Sequence, residues 1–391
     1  MKVLYVCPLA HETGHMPWAA AHEPQHIPGD VTLLTFCGIR EGCDAGVPAR
    51  QYLNSNRWLK LTGRLRRYFL GQWVMRVLDE WGTIWEAAKL GNGYDYIFLR
   101  DGEPFPFMPH LASLFFPGRK WIVSLTGGNF TTINSTRNYG RHKLLPIIYC
   151  MLVNNRGWHI VYKLGHKIAD FQYIVQDRQT KAYYEKIFPG RLHEIPLGVE
   201  QEQTISKQEA RAQLGIPQDK LVLLVFGVTH TGKRNELVFQ AVANNPNTFL
   251  IHAGASYQSL GSFPKDLAAK YHVEERSYID DSFIPDSKKP LYFGAADYVV
   301  CSYAKSFSST SSMLWQAASF NRPVISSNAN VLGELVRTYK LGLLFEAEQL
   351  EDFERSIQLA EKMKDSYNGN GVDFIKAFSM EAWGRKVNDL R

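Results

Sequence analysis

No stretch of this 391-residue chain approaches the roughly 18 consecutive apolar residues that a membrane-spanning helix needs. The apolar run within residues 1–8 is also too short for a secretory signal, so a cytoplasmic protein is expected. Cysteine is scarce: there are five, an odd number without paired metal-ligand spacing. That excludes a disulfide framework and gives no reason to expect a metal. Cys7 and Cys301 fall in strand-like runs and read as small apolar residues in a reducing compartment. Internal repeats and low-complexity segments are absent too, so a repeat architecture is not expected.

Acidic residues are missing locally. None occurs between Asp44 and Asp79, a stretch that holds Arg50, Arg57, Lys60, Arg64, Arg66, Arg67 and Arg76, interleaved with Trp58, Tyr68, Phe69 and Trp73. None occurs between Glu103 and Asp170 either, where Arg119, Lys120, Arg137, Arg141, Lys143, Arg156, Lys163 and Lys167 lie. The first 200 residues therefore hold 23 Lys and Arg against 16 Asp and Glu, while the remainder holds 21 against 22. Basic and aromatic residues so mixed suit a helix lying on an anionic membrane surface, where each basic residue contributes on the order of 1 kcal/mol. The same pattern is met in a solvated helix face whose aromatics point inward. No nucleic-acid module accompanies the basic stretches, so nucleic acid is not expected as a partner.

What is present is an alternation of short β-branched runs with helical stretches, which implies mostly parallel sheets. A chain of 391 residues is too long for one ordinary core and suits two. Pro189-Gly190 and the Pro196 to Gly198 run interrupt the pattern, which puts the boundary near residues 190–200. Ser206, with Glu209 three residues on, reads as the cap of the first helix beyond it.

Residues 290–345 carry the most information. Two strand candidates, 298–301 and 323–326, enclose a helix candidate over 312–319, and Ser308, Ser309, Thr310, Ser311 and Ser312 crowd the first junction. A helix N-terminus leaves about four N–H groups without partners and adds partial positive charge, so this junction suits an anion. Phe293 to Asp297 (FGAAD), Arg322 to Ile325 (RPVI), Gly333 to Val336 (GELV) and Leu341 to Leu344 (LGLL) follow in order. That series resembles the C-terminal domain of the family 4 glycosyltransferases. Residues 2–7 with Gly14-His15 after them, 93–99, 120–125, 171–176, 192–199 and the LVLLVF run at 221–226 with Gly227 and Lys233 resemble further parts of the same family.

The resemblance implies an α/β protein of GT-B fold, two Rossmann-like domains with parallel sheets facing a central cleft. Residues 1–195 would be the acceptor-binding domain, completed by a crossover helix over 376–391, and residues 196–375 the nucleotide-sugar-binding domain. It implies a nucleotide sugar as donor, a lipid-linked or polysaccharide acceptor, retention of anomeric configuration and no bound metal or other cofactor. Donor binding falls to Gly14, Lys233, Arg234, Tyr278, Ser308, Ser309, Ser311, Ser312 and Gln316. Lys233 stands at the family's lysine position, but Val228 replaces the arginine five residues before it, and Arg234 is near enough to supply that charge. Ser308 and Gln316 replace a pair of glutamates, and Gln316 retains the capacity to bond ribose hydroxyls.

In the first domain, Thr126 stands where the family often has histidine, and Gly127, Gly128 and Asn129 form a turn that permits close approach to an acceptor. Asp101 and Glu103 lead as general-base candidates, with His11, Glu12 and His15 as rivals. Arg57, Lys60, Arg64, Arg66, Arg67 and Trp73 are the candidate acceptor and membrane residues. A peripheral enzyme on the inner face of the membrane is expected. An epimerase or phosphorylase of the same fold, and a non-catalytic nucleotide- or glycan-binding partner, are the alternatives.

Overall fold

Apolar runs with no polar alternation become central strands of two sheets, because a parallel sheet covered by helices is buried on both faces. The computed structural model describes residues 1–11, 16–40, 43–53, 69–102, 106–125, 157–229, 232–256, 263–307, 310–364 and 371–391, with side chains from 75 onward in the helix that begins at Phe69. The chain divides into two units, Met1–Gly198 with Met380–Arg391, and Val199–Ser379. The division falls a few residues beyond the expected boundaries.

Among the described residues the first unit holds seven strands, β1 (Lys2–Cys7), β2 (Asp30–Thr35), β3 (Ala49–Gln51), β4 (Tyr96–Leu99), β5 (Lys120–Leu125), β6 (Asp170–Val175) and β7 (Leu192–Glu194). They lie in the order β3-β2-β1-β4-β5-β6-β7, every neighbouring pair parallel. Helices α1 (Met16–His22), α2 (Phe69–Leu90), α3 (Met108–Phe115), α4 (Trp158–Ile168) and α5 (Arg178–Tyr184) accompany them. Side-chain alternation along β1 sends Leu4 and Val6 to one core and Val3, Tyr5 and Cys7 to the other.

The second unit holds β8 (Leu221–Phe226), β9 (Thr248–Ala253), β10 (Ser277–Asp280), β11 (Tyr298–Cys301), β12 (Val324–Ser327) and β13 (Gly342–Phe345), in the parallel order β10-β9-β8-β11-β12-β13. Its helices are α6 (Lys207–Leu214), α7 (Asn235–Asn244), α8 (Pro264–Lys270), α9 (Lys289–Ala295), α10 (Ser312–Ser319), α11 (Asn330–Thr338), α12 (Leu350–Met363) and α13 (Gly371–Ala377). Ser206 caps α6, its hydroxyl accepting from the Glu209 N–H at 3.2 Å. The last helix, α14 (Met380–Asn388), belongs to the first unit, where Met380, Trp383 and Val387 enter the core under β1. Gly384 makes that docking possible, since a Cβ there would lie 1.9 Å from the His26 carbonyl oxygen. Among the described residues no helix is long and apolar enough to cross a membrane.

Candidate functional site

In the second sheet the chain winds outward from β8 through β9 to β10, then returns to the opposite side of β8 as β11. Open α/β sheets bind ligands outside the carboxyl ends of the strands at such a reversal. Here those ends lead into the loops 227–234 and 302–311, and the two loops are bonded together. The Arg234 N–H donates to the Ser302 carbonyl at 2.7 Å, the Ala304 N–H donates to the Gly232 carbonyl at 2.9 Å, and Lys233 bridges Tyr303 in antiparallel register. The predicted lysine and the predicted helix N-terminus are thereby brought to one place.

The side chains agree. Gly227 has φ +83°, and a Cβ on it would meet both the Lys233 Nζ at 3.5 Å and the Met313 Cε at 3.7 Å. Lys233 is half-buried and its ammonium donates to the Phe226 carbonyl at 2.7 Å. Burial pushes the group down to about 8, an effect the neighbouring Cys301 thiol opposes. At the head of α10, the Ser311 hydroxyl accepts from the Met313 N–H at 3.2 Å and lies 2.6 Å from the Tyr303 hydroxyl. Ser311 is buried, whereas Ser312 is exposed. Gln316 follows one turn later on α10, and its Oε1 is buried without a hydrogen-bond partner among the described residues.

Other predicted donor residues stand apart. The Arg234 guanidinium is taken up by Glu348, with Nε 2.7 Å from a carboxylate oxygen, so it cannot replace the missing arginine unless that exposed pair opens. Tyr278 lies on β10 at the edge of the sheet, two strands from β8, its ring 6.2 Å from that of Tyr292. Ser308 and Ser309 lie outside the described residues, as do Gly14, His15, Glu12, Glu103, Thr126, Gly127, Gly128 and Asn129.

The first sheet reverses between β1 and β4, and the residues after β4 are Arg100 and Asp101. Arg100 is buried: its Nε donates to Glu23 at 3.0 Å and its Nη1 to the Ser124 hydroxyl at 3.3 Å, while the Tyr5 hydroxyl donates to the other Glu23 oxygen at 2.5 Å. Asp101 stands next to this pair with φ +60° and 3.9 Å from Arg76. Asp101 is one of six non-glycine residues with positive φ among the described residues, and aspartate is one of the side chains that tolerates this region. His11 lies 3.6 Å from Asp79.

The basic stretches divide in the same way. Arg57, Lys60, Arg64, Arg66 and Arg67 lie outside the described residues, and the side chain of Trp73, within α2, does too. Arg76 pairs with Glu80 at 2.9 Å, and Arg119 donates to the Ala88 carbonyl at 2.9 Å, so both serve the fold. On α3 and α4, by contrast, Phe115 is 64% and Ile160 66% exposed, with Leu114 and Leu164 exposed as well. His159, Lys163 and Lys167 share that side of α4 with Ile160 and Leu164. Two residues escaped the sequence reading: His252 and Asn235, buried beside the Lys233 loop. The signal was a lone histidine in the otherwise apolar run FLIHA.

Residues 206–370 match the family model described as glycosyl transferases group 1. Solved structures match the chain from end to end at low identity. Sucrose-phosphate synthase from Thermosynechococcus elongatus gives a TM-score of 0.68 at 16% identity, over 100% of this chain and 98% of that one. Anabaena HepE in complex with UDP-glucose gives 0.67 at 14%, over 100% and 98%. WaaG, a glycosyltransferase involved in lipopolysaccharide biosynthesis, gives 0.66 at 12%, over 100% and 99%. No curated protein matches the chain in sequence. The fold is GT-B, as the resemblance implied.

Proposed function

We propose, starting from a glycosyltransferase whose residues 206–370 match the group 1 model, that this chain moves a sugar from a nucleotide-sugar donor to a lipid-linked or polysaccharide acceptor, as a peripheral protein on the cytoplasmic face of a membrane. The observation that carries the donor half is the bonding of loop 227–234 to loop 302–311, which sets the Lys233 ammonium beside the first turn of α10. Charge develops on the departing diphosphate during transfer, and a fixed cation together with a helix N-terminus offsets it without reorganising. The exposed Ser312 hydroxyl is free to donate to a phosphate oxygen, and the Gln316 amide to bond a ribose hydroxyl.

Transfer with retention, in which the departing phosphate draws the proton from the acceptor on the same face, needs no strong protein base. Of the general-base candidates, Asp101 and His11 are the two among the described residues. HepE was solved with UDP-glucose, which puts uridine donors first. The acceptor half rests on the exposed apolar residues of α3 and α4 and on the lysines beside them, a combination suited to an anionic lipid surface.

The test is thermal shift against nucleoside diphosphates and their sugars. A ligand at 100 times its Kd stabilises by about 2.7 kcal/mol. Stabilisation by UDP and UDP-sugars over guanosine, adenosine and cytidine analogues is expected, and a flat panel counts against the donor site.

A further inference from the structure

His252, near the end of β9, has no exposed surface. Its Nε2 lies 3.3 Å from the Asn235 Nδ2 and 3.5 Å from the Thr229 hydroxyl. Those two residues lie on either side of Lys233 in sequence, and the Asn235 N–H donates to the Lys233 carbonyl at 2.9 Å, a tight turn over residues 233–235. As the Asn235 amide is placed, its Nδ2 donates to Nε2, which leaves the proton of the neutral imidazole on Nδ1, an atom buried without a hydrogen-bond partner among the described residues. Burial, followed by the positive charge of Lys233, holds the imidazole down at about 3, so it stays neutral at any working pH. Lys233 and Cys301 are the other titratable groups coupled here.

The rest of β9 is apolar except for Thr248 at its start, and burying an imidazole costs free energy that a leucine would not. Asn235 adds a further cost, since its Oδ1 is buried without a partner among the described residues. This polar cluster stands beside Lys233, the one lysine of residues 227–234.

We propose that His252 is a positioning residue for the donor diphosphate: its Nε2 holds the Asn235 side chain, two residues beyond Lys233, to β9 with the Thr229 hydroxyl alongside, and so fixes where the Lys233 ammonium stands. This rests on the donor reading above, in which Lys233 is the diphosphate ligand.

Two variants separate positioning from mere packing. His252→Gln retains an acceptor in its amide oxygen, whereas His252→Leu removes it. In the protein without nucleotide, the reactivity of Lys233 is followed by competitive acetylation and mass spectrometry. Wild-type reactivity in His252→Gln and altered reactivity in folded His252→Leu is the expected result. UDP affinity should then fall about tenfold in His252→Leu, as expected when one charge-assisted hydrogen bond from Lys233 is lost, and recover in His252→Gln. Wild-type reactivity of Lys233 in a folded His252→Leu protein overturns the proposal, and so does an equal disturbance in both variants. If His252→Leu does not fold, Asn235→Ala takes its place with the same expectations. Absence of UDP binding by the wild type would defeat the donor reading while leaving the acetylation contrast to decide the role of His252.

Discussion

At the scale of a single residue, Lys233 decides most. Losing one charge-assisted hydrogen bond costs roughly 1.5 to 3 kcal/mol, so Lys233→Ala should weaken donor use by about one to two orders of magnitude in a steady-state assay. Because burial holds its ammonium down at about 8, charge is lost from the free protein above that pH. The Kd for UDP is then expected to be flat below pH 8 and to rise about tenfold per unit above it, with the slope abolished in Lys233→Ala. A Kd independent of pH from 7 to 9 would take the charge of Lys233 out of binding. Between about 8 and the ordinary lysine value the unfolded chain holds more protons at this site than the fold does. The contribution of this group to stability therefore rises with pH over that window.

At the scale of an element, α10 separates structure from chemistry within two adjacent serines. Ser311 is buried and caps the helix, so Ser311→Ala should cost about 1 kcal/mol and lower the Tm of the second unit by about 2–4 °C. Ser312 is exposed, and Ser312→Ala should change stability by no more than about 0.5 kcal/mol while weakening UDP binding by about 1 kcal/mol. Calorimetry of both variants with and without UDP reads the contrast, and equal loss of stability in the two would contradict it. Elements such as these were largely legible in advance. The helix over 312–319 and the strand over 298–301 stand where the pattern put them, and the strand expected over 323–326 runs one residue later because Pro323 has no N–H to give to the ladder.

At the scale of the molecule, two buried histidines link stability to pH in both units. His110, in the first, is held well below its ordinary value by burial and by His166, and it spans the Pro106 carbonyl at 3.0 Å and the Tyr173 hydroxyl at 2.6 Å. His252 plays the same part in the second. The unfolded chain protonates both near 6.5 while the fold does not, so the stabilisation is intact above that pH and is lost as pH falls below it, by about 1.4 kcal/mol per pH unit for each imidazole. Urea unfolding at pH 7 and pH 5 should show the midpoint falling, and an unchanged midpoint would argue that the imidazoles are not buried neutral. Surface chemistry gives a second expectation. The protein should sediment with anionic liposomes in low salt and not with neutral ones, and Phe115→Ser with Ile160→Ser should reduce the bound fraction. Equal recovery on both kinds of vesicle would count against the membrane role.

The sequence by itself determined the parallel α/β class, strands such as β1, β5, β8 and β11, the helices α6 and α10 and their serine caps, because these follow from apolar runs and end chemistry within a dozen residues, whereas β2, β3 and β9 went unread. It also singled out Lys233 and the serine-rich junction, through an ordered series of short motifs. What it could not supply was which loops meet. That depends on the reversal of strand order between β8 and β11, a long-range outcome of packing two sets of helices on one sheet. The same limit explains Arg234, adjacent to Lys233 in sequence yet paired with Glu348, and Arg76 and Arg119, counted as surface charge but engaged by Glu80 and by the Ala88 carbonyl. Charge is a property of the residue, whereas its availability is decided by the partners that tertiary structure brings to it.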